Sequence, residues 1–461
     1  MLLIEPFIET LKEYKEYNLL SSLLFVNKDF YKQISKLYLG IIEIDKKKDY
    51  DRWKYFNCHF SIAFRINKID RKNIVRLDLM KNNTIKDISM LTELIDLNLI
   101  ENHTIKDISM LTNLTSLDLS NNKIIQDISM LTNLIDLNLY NNITIKDISM
   151  LTKLKHLALV RNSTIKDINM LINLTSLDLN DNSSIKDISM LTNLDYLNLM
   201  KNNTIKDISM LINLTILNLC INDTIKDINM LTNLTSLNIC ENKVIKDISM
   251  LTNLTRLELS NNNFIKDINM LTNLTVLNLY SKSAIKDISM LTNLISLNIS
   301  HNTIKDINML TNLTNLNISY NKSIRDISGL TKLTNLYLSD NKIIKDISML
   351  TNLNTLHLYN NSAIKDISML INLTCLNLRY NNTVKDISML TNLTELDLCN
   401  NNIIKDISMF TNLTSLNLKY NNTVKDISML TNLTELDLCN NNTIKDINTL
   451  VNLEKIIGRN I

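Results

Sequence analysis

The sequence predicts an α/β solenoid. This is a superhelix with a parallel β-ladder on its concave face and short 3₁₀ or extended convex arcs, preceded by a small helical domain. Three observations predict it. A 20-residue unit, best seen at 111–130 as LTNLTSLDLSNNKIIQDISM, recurs almost unbroken from 71 to 461. With its positions numbered 1 to 20 from Leu111, apolar residues fall at 1, 4, 7, 9, 15, 18 and 20, and Asn at 12. Nineteen copies align, all of 20 residues except 291–309, which has 19, and a fragment follows at 450–461. Self-similarity at a fixed period of this size marks stacked repeats, each too small to bury its apolar face alone.

Composition removes several function classes. Lys and Arg number 49 against 47 Asp and Glu, a net charge of +2, so no global field draws the chain to nucleic acid or anionic membrane. No apolar run approaches the ~20 residues that span a bilayer. Glu5 interrupts the apolar start, which argues against a secretory leader. Six cysteines are scattered without CxxC spacing, which fits a reduced cytoplasmic setting, that of the host if the chain is viral. Cys220 and Cys240 share position 10 of adjacent copies and could face each other; here they read as two small residues. Gly occurs three times and Pro once, so Asn takes over the turns. Abundant Asn, Ile and Lys suggest an AT-rich genome, such as that of a large DNA virus or an amoeba. The five histidines, at 59, 103, 156, 301 and 357, sit apart. There is no glycine-rich phosphate loop, no metal-ligand cluster and no nucleophile placed beside a base. Neither enzyme activity nor a cofactor is expected.

Residues 1–40 read as two or three short helices. Leu19, Leu20, Leu23 and Leu24, then Phe30, Ile34 and Leu37, recur at helical spacing, and Asn27 or Asp29 could cap the last helix. The stretch Leu24 to Tyr31, LFVNKDFY, resembles the "VxKxF/W" segment of an F-box. Pro6, 20 residues upstream of Val26, stands about where the F-box Leu-Pro pair lies, with Glu5 in place of its Leu and a shortened middle. The resemblance implies docking to a Skp-type adaptor of a cullin ubiquitin ligase, with Pro6, Leu24, Val26 and Phe30 forming the docking or core surface. Without that role the segment is a helical cap shielding the first repeat. Residues 41–70 read as an irregular first repeat: Ile42 and Ile44 alternate with polar residues, 49–57 reads helical, and Ser61 to Ile66 alternates as a strand. Trp53 reads as packing.

From 71 onward the pattern LxxLxLxxN, carried in the third copy by Leu114, Leu117, Leu119 and Asn122, resembles the leucine-rich repeat family. Within it the copies look like the short repeats of internalins and phosphatase regulators, LTNLTxLxLxxNxIxxI. This chain lacks a three-residue turn after the second isoleucine and usually inserts one residue after the asparagine. The copy 291–309 lacks the insert, as Asn302-Thr303-Ile304.

Within a copy, positions 7 to 9 are expected to form the strand, with Leu117 and Leu119 pointing inward. Position 12 is Asn in 18 of 19 copies and should serve turning backbone groups; the exception, Lys282, should mark a weak point. Position 17 is Asp in all 19 copies, almost always preceded by Lys. That column reads as a cap for the following turn rather than a calcium ladder, because glycine is absent and the lysine cancels the charge. Asn-Leu-Thr reads as repeat consensus, not as a glycosylation site. Met at position 20, in 17 copies, reads as an adaptable filler of the convex arc. The chain stops part-way through a copy, so fraying or a partner is expected there.

Function must lie in exposed columns that vary. Position 8 is Asn or Asp in 15 of 19 copies, while 6, 10 and 11 vary freely. All eight tyrosines of the repeats fall on these four columns. The densest patch is Tyr337, His357, Tyr359, Arg379, Tyr380, Lys419 and Tyr420, interleaved with the acidic pairs Glu395/Asp397 and Glu435/Asp437. Its alternation partly reflects duplication, since 410–449 nearly repeats 370–409. The expected function is a receptor that binds a target protein on the concave face, as the substrate-recognition subunit of a Skp-cullin-F-box ligase. The alternative is an interaction scaffold without a ligase link. No nucleic acid or membrane partner is expected.

Overall fold

The computed structural model describes residues 41–44, 59–62, 74–281 and 283–458. Internal contacts divide the chain into two units, 1–214 and 215–461, built on the same plan. The first unit opens with β1 (Ile41–Ile44), β2 (His59–Ile62) and β3 (Ile74–Asp78) and continues, one strand per copy, from β4 (Asp96–Asn98) to β9 (Tyr196–Asn198). The second runs from β10 (Ile216–Asn218) to β22 (Lys455–Ile457). Within each unit neighbouring strands pair in parallel, as Leu97 opposite Leu117 and Leu376 opposite Leu396 illustrate. Register slips between Phe60 and Ser61, where β2 meets β3. Of the strand expected at 61–66, Ser61 and Ile62 fall in β2 (His59–Ile62), and 63–66 lie outside the described residues.

Each regular strand spans positions 6 to 8, one residue earlier than expected, as at Ser116–Asp118. The pairing nonetheless runs on. Leu99 N–H donates to Asp118 O at 2.9 Å and Glu101 N–H to Ser120 O at 3.0 Å. The side chains at 7 and 9 point inward as alternation requires, with Leu117 and Leu119 at most 2% exposed. Position 11 then turns left-handed in all 19 copies, with φ between 49° and 69° and no glycine among them.

The convex arc is a chain of i→i+3 bonds: Leu111 N–H donates to Ile108 O and Leu114 N–H to Leu111 O, both at 3.0 Å. A three-residue period eclipses positions 18, 1 and 4, and Ile108, Leu111 and Leu114 are buried. The same period corrects the reading of position 20. It lies out of phase with the buried row, and its methionines are on the surface, Met110 at 59% and Met270 at 64% exposure.

The asparagine column solves the strand-to-arc turn. Asn122 is fully buried; its Nδ2 donates to Asn102 O (2.9 Å) and Leu99 O (3.3 Å), and its Oδ1 accepts from Ile124 and Ile125 N–H at 3.0 Å. Rungs are thus tied to the preceding rung and to their own arc by one side chain. In the short copy Asn302 Oδ1 accepts one residue sooner, from Thr303 (2.7 Å) and Ile304 (3.0 Å). Lys282 lies outside the described residues. Beside it, Ser283 Oγ accepts from Ile285 N–H at 3.2 Å, the bond that Asn262 Oδ1 makes to Ile265. In the last rung Gly458 has φ +87°, and a Cβ there would stand 2.4 Å from Cys439 N, so only glycine fits.

The position-17 aspartates cap the arc. Asp127 Oδ1 accepts from Ser129 N–H at 2.8 Å. The Ser129 N–H and hydroxyl hold the Asp127 carboxyl below its usual value, and the same arrangement acts at Asp87, Asp366 and Asp426. A carboxylate depressed in the folded state stabilises it above the unfolded value, near pH 3.9, and that stabilisation is lost as pH falls through the folded value. The urea midpoint is therefore expected to hold from pH 7 to 5 and to fall below about pH 4. A midpoint unchanged down to pH 2 would remove the capping role.

Candidate protein-binding face

The strand face carries side chains from positions 6, 8, 10 and 11, and two of these columns have scaffold preferences. At position 8, an Asn or Asp side chain accepts from the N–H two residues on, as Asn417 Oδ1 does from Lys419 at 3.0 Å and Asp397 Oδ1 from Cys399 at 2.8 Å. At position 11, left-handed backbone favours Asn and Asp, whose short polar side chains bond locally, while other side chains cost roughly 1–2 kcal/mol. The candidate residues break both preferences. Tyr337 and His357 occupy position 8 on paired strands, and Tyr380 and Tyr420 occupy position 11 at φ 55°.

The geometry brings the candidates together in three groups within the second unit. Tyr337 and His357 have ring centroids 4.6 Å apart. Tyr359 meets Tyr380 edge to face at 5.7 Å, and the Arg379 guanidinium lies 5.8 Å and 5.4 Å from their centroids. Lys419 Nζ stands 5.6 Å from the Tyr420 ring, two rungs beyond Arg379 and Tyr380. Burial pushes the His357 imidazole below its ordinary value, against the pull of Glu395. Burial also raises the Asp397 carboxyl, partly offset by its own turn bond and by Arg379. The face therefore offers aromatic rings and cations beside a row of carboxylates.

Two features escaped the sequence reading. His301 stacks on Tyr320 at 4.1 Å with Tyr280 edge-on at 5.7 Å, extending the aromatic surface. The Tyr320 hydroxyl bonds the Asp340 carboxylate, which raises its pKa. The signal was three successive rings at positions 10 and 11. In the first unit, a shallow depression opens around Ala158 and is lined by Asp118, Asp136, His156, Asp178 and Tyr196. Alanine at position 8 marked it. His156 Nε2 lies 3.8 Å from Asp136, and burial raises the Asp178 carboxyl.

Pro6, Leu24, Val26, Phe30 and Trp53 lie outside the described residues. Among the described residues no group of three or more His, Cys, Asp or Glu side chains is placed to hold a metal, and no helix is long and apolar enough to cross a membrane.

The family described as Leucine Rich repeats (2 copies) matches residues 371–412. No curated protein matches the chain. The functional domain of InlJ from Listeria monocytogenes, described as including a cysteine ladder, is 26% identical, with 71% of this chain and 74% of that one covered and a TM-score of 0.50. A leucine-rich repeat protein of Leptospira interrogans is 27% identical, covering 78% of this chain and 94% of its own, with a TM-score of 0.54. The TLR13–ssRNA13 complex, at 23% identity, 88% and 70% coverage and a TM-score of 0.51, shares the fold alone. With its LxxLxLxxN repeat, its buried asparagine column and these matches, the chain is a leucine-rich repeat protein.

Proposed function

We propose that the chain is a protein-binding receptor whose target docks on the strand face of the second unit, through Tyr337, His357, Tyr359, Arg379, Tyr380, Lys419 and Tyr420. One observation carries the reading. Position 11 is left-handed throughout, yet His301, Tyr320, Tyr380 and Tyr420 occupy it. Lys, Glu and Ile meet the same backbone in other copies; these rings differ in meeting neighbouring rings across rungs, as His301 does Tyr320 and Tyr380 does Tyr359, which is the contiguous aromatic surface an interface needs. Tyr and Arg also dominate binding hot spots, and both cluster here.

The backbone supplies a clean test. A Tyr380→Asn/Tyr420→Asn double variant suits the left-handed positions better, so its stability should be unchanged or higher by about 1 kcal/mol per site. Its capture of a target from cell extract, compared with the unaltered chain, should fall at least about tenfold. Undiminished capture of every retained protein would end this reading.

Residues 1–40 support a finer proposal, that the receptor is the substrate-recognition subunit of a Skp-cullin-F-box ligase. It rests on the LFVNKDFY stretch and Pro6. The full chain should then retain a purified Skp-type adaptor, and a Pro6→Ala/Val26→Asp variant should lose it. Absence of capture by the unaltered chain would reduce residues 1–40 to a cap and leave a binding scaffold.

A further inference from the structure

Cys220 and Cys240 stand on adjacent rungs of the second unit. Asn218 pairs with Asn238 in the strands leading to them, and Ile221 N–H donates to Cys240 O at 2.9 Å just beyond. Both side chains are half-buried at the strand face, and neither is in a disulfide. Parallel neighbours stand about 4.8 Å apart, inside the Cα separation of about 4.4–6.8 Å that a disulfide requires. The Cys220 side chain is within hydrogen-bonding reach of the Cys240 sulfur.

The other described cysteines are an internal contrast. Cys399 and Cys439 also share position 10, but Lys419 stands on the rung between them. Two rungs are about 9.6 Å apart, beyond the limit of about 7 Å for bridging without backbone movement. Cys375 sits at position 6 of a different rung.

We propose that Cys220 and Cys240 form a dithiol–disulfide site that is oxidised by small-molecule disulfides of the glutathione class. The Cys240 thiolate attacks one sulfur of the oxidant, forming a mixed disulfide and releasing one equivalent of thiolate. The Cys220 thiol then loses its proton, attacks the Cys240 sulfur and releases the second thiolate. The protein gives up two electrons and two protons, and the oxidant leaves as two thiols. The order of attack follows from the surroundings. Bonds from Cys220 and from the Ser260 N–H and hydroxyl draw the Cys240 thiol down to about 7, against burial and the Glu258 charge. The product closes a covalent ring across the 19 residues between the two cysteines. It fixes neighbouring rungs on the face that carries the variable columns, and the melting temperature should rise, because such a ring restricts the unfolded chain.

The test uses the full chain, incubated with oxidised glutathione, alkylated and mapped by mass spectrometry. The expected result is one linked peptide pair carrying Cys220 and Cys240, reversed by dithiothreitol, while Cys399 and Cys439 do not link to each other. Cys220→Ser should trap Cys240 as a stable mixed disulfide with glutathione. Cys240→Ser should leave Cys220 largely alkylatable. The proposal is overturned if both cysteines remain alkylatable under conditions that oxidise a reference vicinal dithiol. It is equally overturned if Cys399 and Cys439 cross-link as fast, or if Cys240→Ser takes glutathione on Cys220 at the rate seen for Cys240.

Discussion

Replacing Asn381 with leucine should lower the stability of the second unit by about 3–5 kcal/mol. Asn381 is fully buried, and its Nδ2 donates to Asn361 O at 2.7 Å and Leu358 O at 3.3 Å. Its Oδ1 accepts from Thr383 N–H at 3.0 Å and Val384 N–H at 3.1 Å. Leucine is close in size, so little packing is lost. What changes is that backbone donors and acceptors are left buried without these bonds, at about 1–3 kcal/mol for each unsatisfied group. Because each rung touches only its neighbours, the damage should be centred on 350–409. Urea unfolding with hydrogen exchange resolved by copy measures both magnitude and place. A loss under about 1 kcal/mol would mean that water reaches these groups.

Phe410→Ala should cost a similar amount, about 3–5 kcal/mol, for a different reason. Phe410 stands at position 1, fully buried, where neighbouring copies carry Leu390 and Leu430. Its N–H donates to Ile407 O at 3.1 Å and its carbonyl accepts from Leu413 N–H at 3.0 Å, so backbone bonding fixes the ring's place in the arc. Truncation leaves a cavity between two leucines that their own arcs hold in place. Met389→Ala is the matched control: Met389, the last residue of its copy, sits one residue before Leu390, the equivalent position of the next copy, and is 60% exposed. Its loss should stay within about 0.5 kcal/mol. Equal effects at 389 and 410 would mean that the arc is not a three-residue turn.

The contrast between these two sites shows what the letters could convey. Columns 1, 4, 7, 9, 15 and 18 were legible because hydrophobicity and period agree there, and Asn122 and Asp127 were legible because few side chains can serve turning backbone. Met at position 20 was misread, since apolar character alone carries no phase; only the i→i+3 bonds show that Met110 falls outside the row of Ile108, Leu111 and Leu114. The left-handed column was invisible for the opposite reason. Lys81, Ile221 and Tyr320 share one backbone conformation, so no residue type announces it. The tyrosines of the candidate face could be placed on the correct columns from sequence, but the penalty under Tyr380 and Tyr420 could not. His301 was passed over as an isolated histidine, although stacking brings it onto Tyr320.

The near-identity of successive rungs has a consequence at the level of the gene. Every rung but that of Lys282 presents the same asparagine, with closely similar apolar rows, to whichever rung precedes it. Unequal recombination that removes or adds a whole copy therefore joins two surfaces that already fit. The segment 410–449 nearly repeats 370–409, and Arg379-Tyr380 reappears as Lys419-Tyr420. Such a locus can change length in steps of one repeat among strains without passing through an unfolded product. It can also enlarge a recognition surface in a single event, by copying an existing contact instead of building one residue by residue.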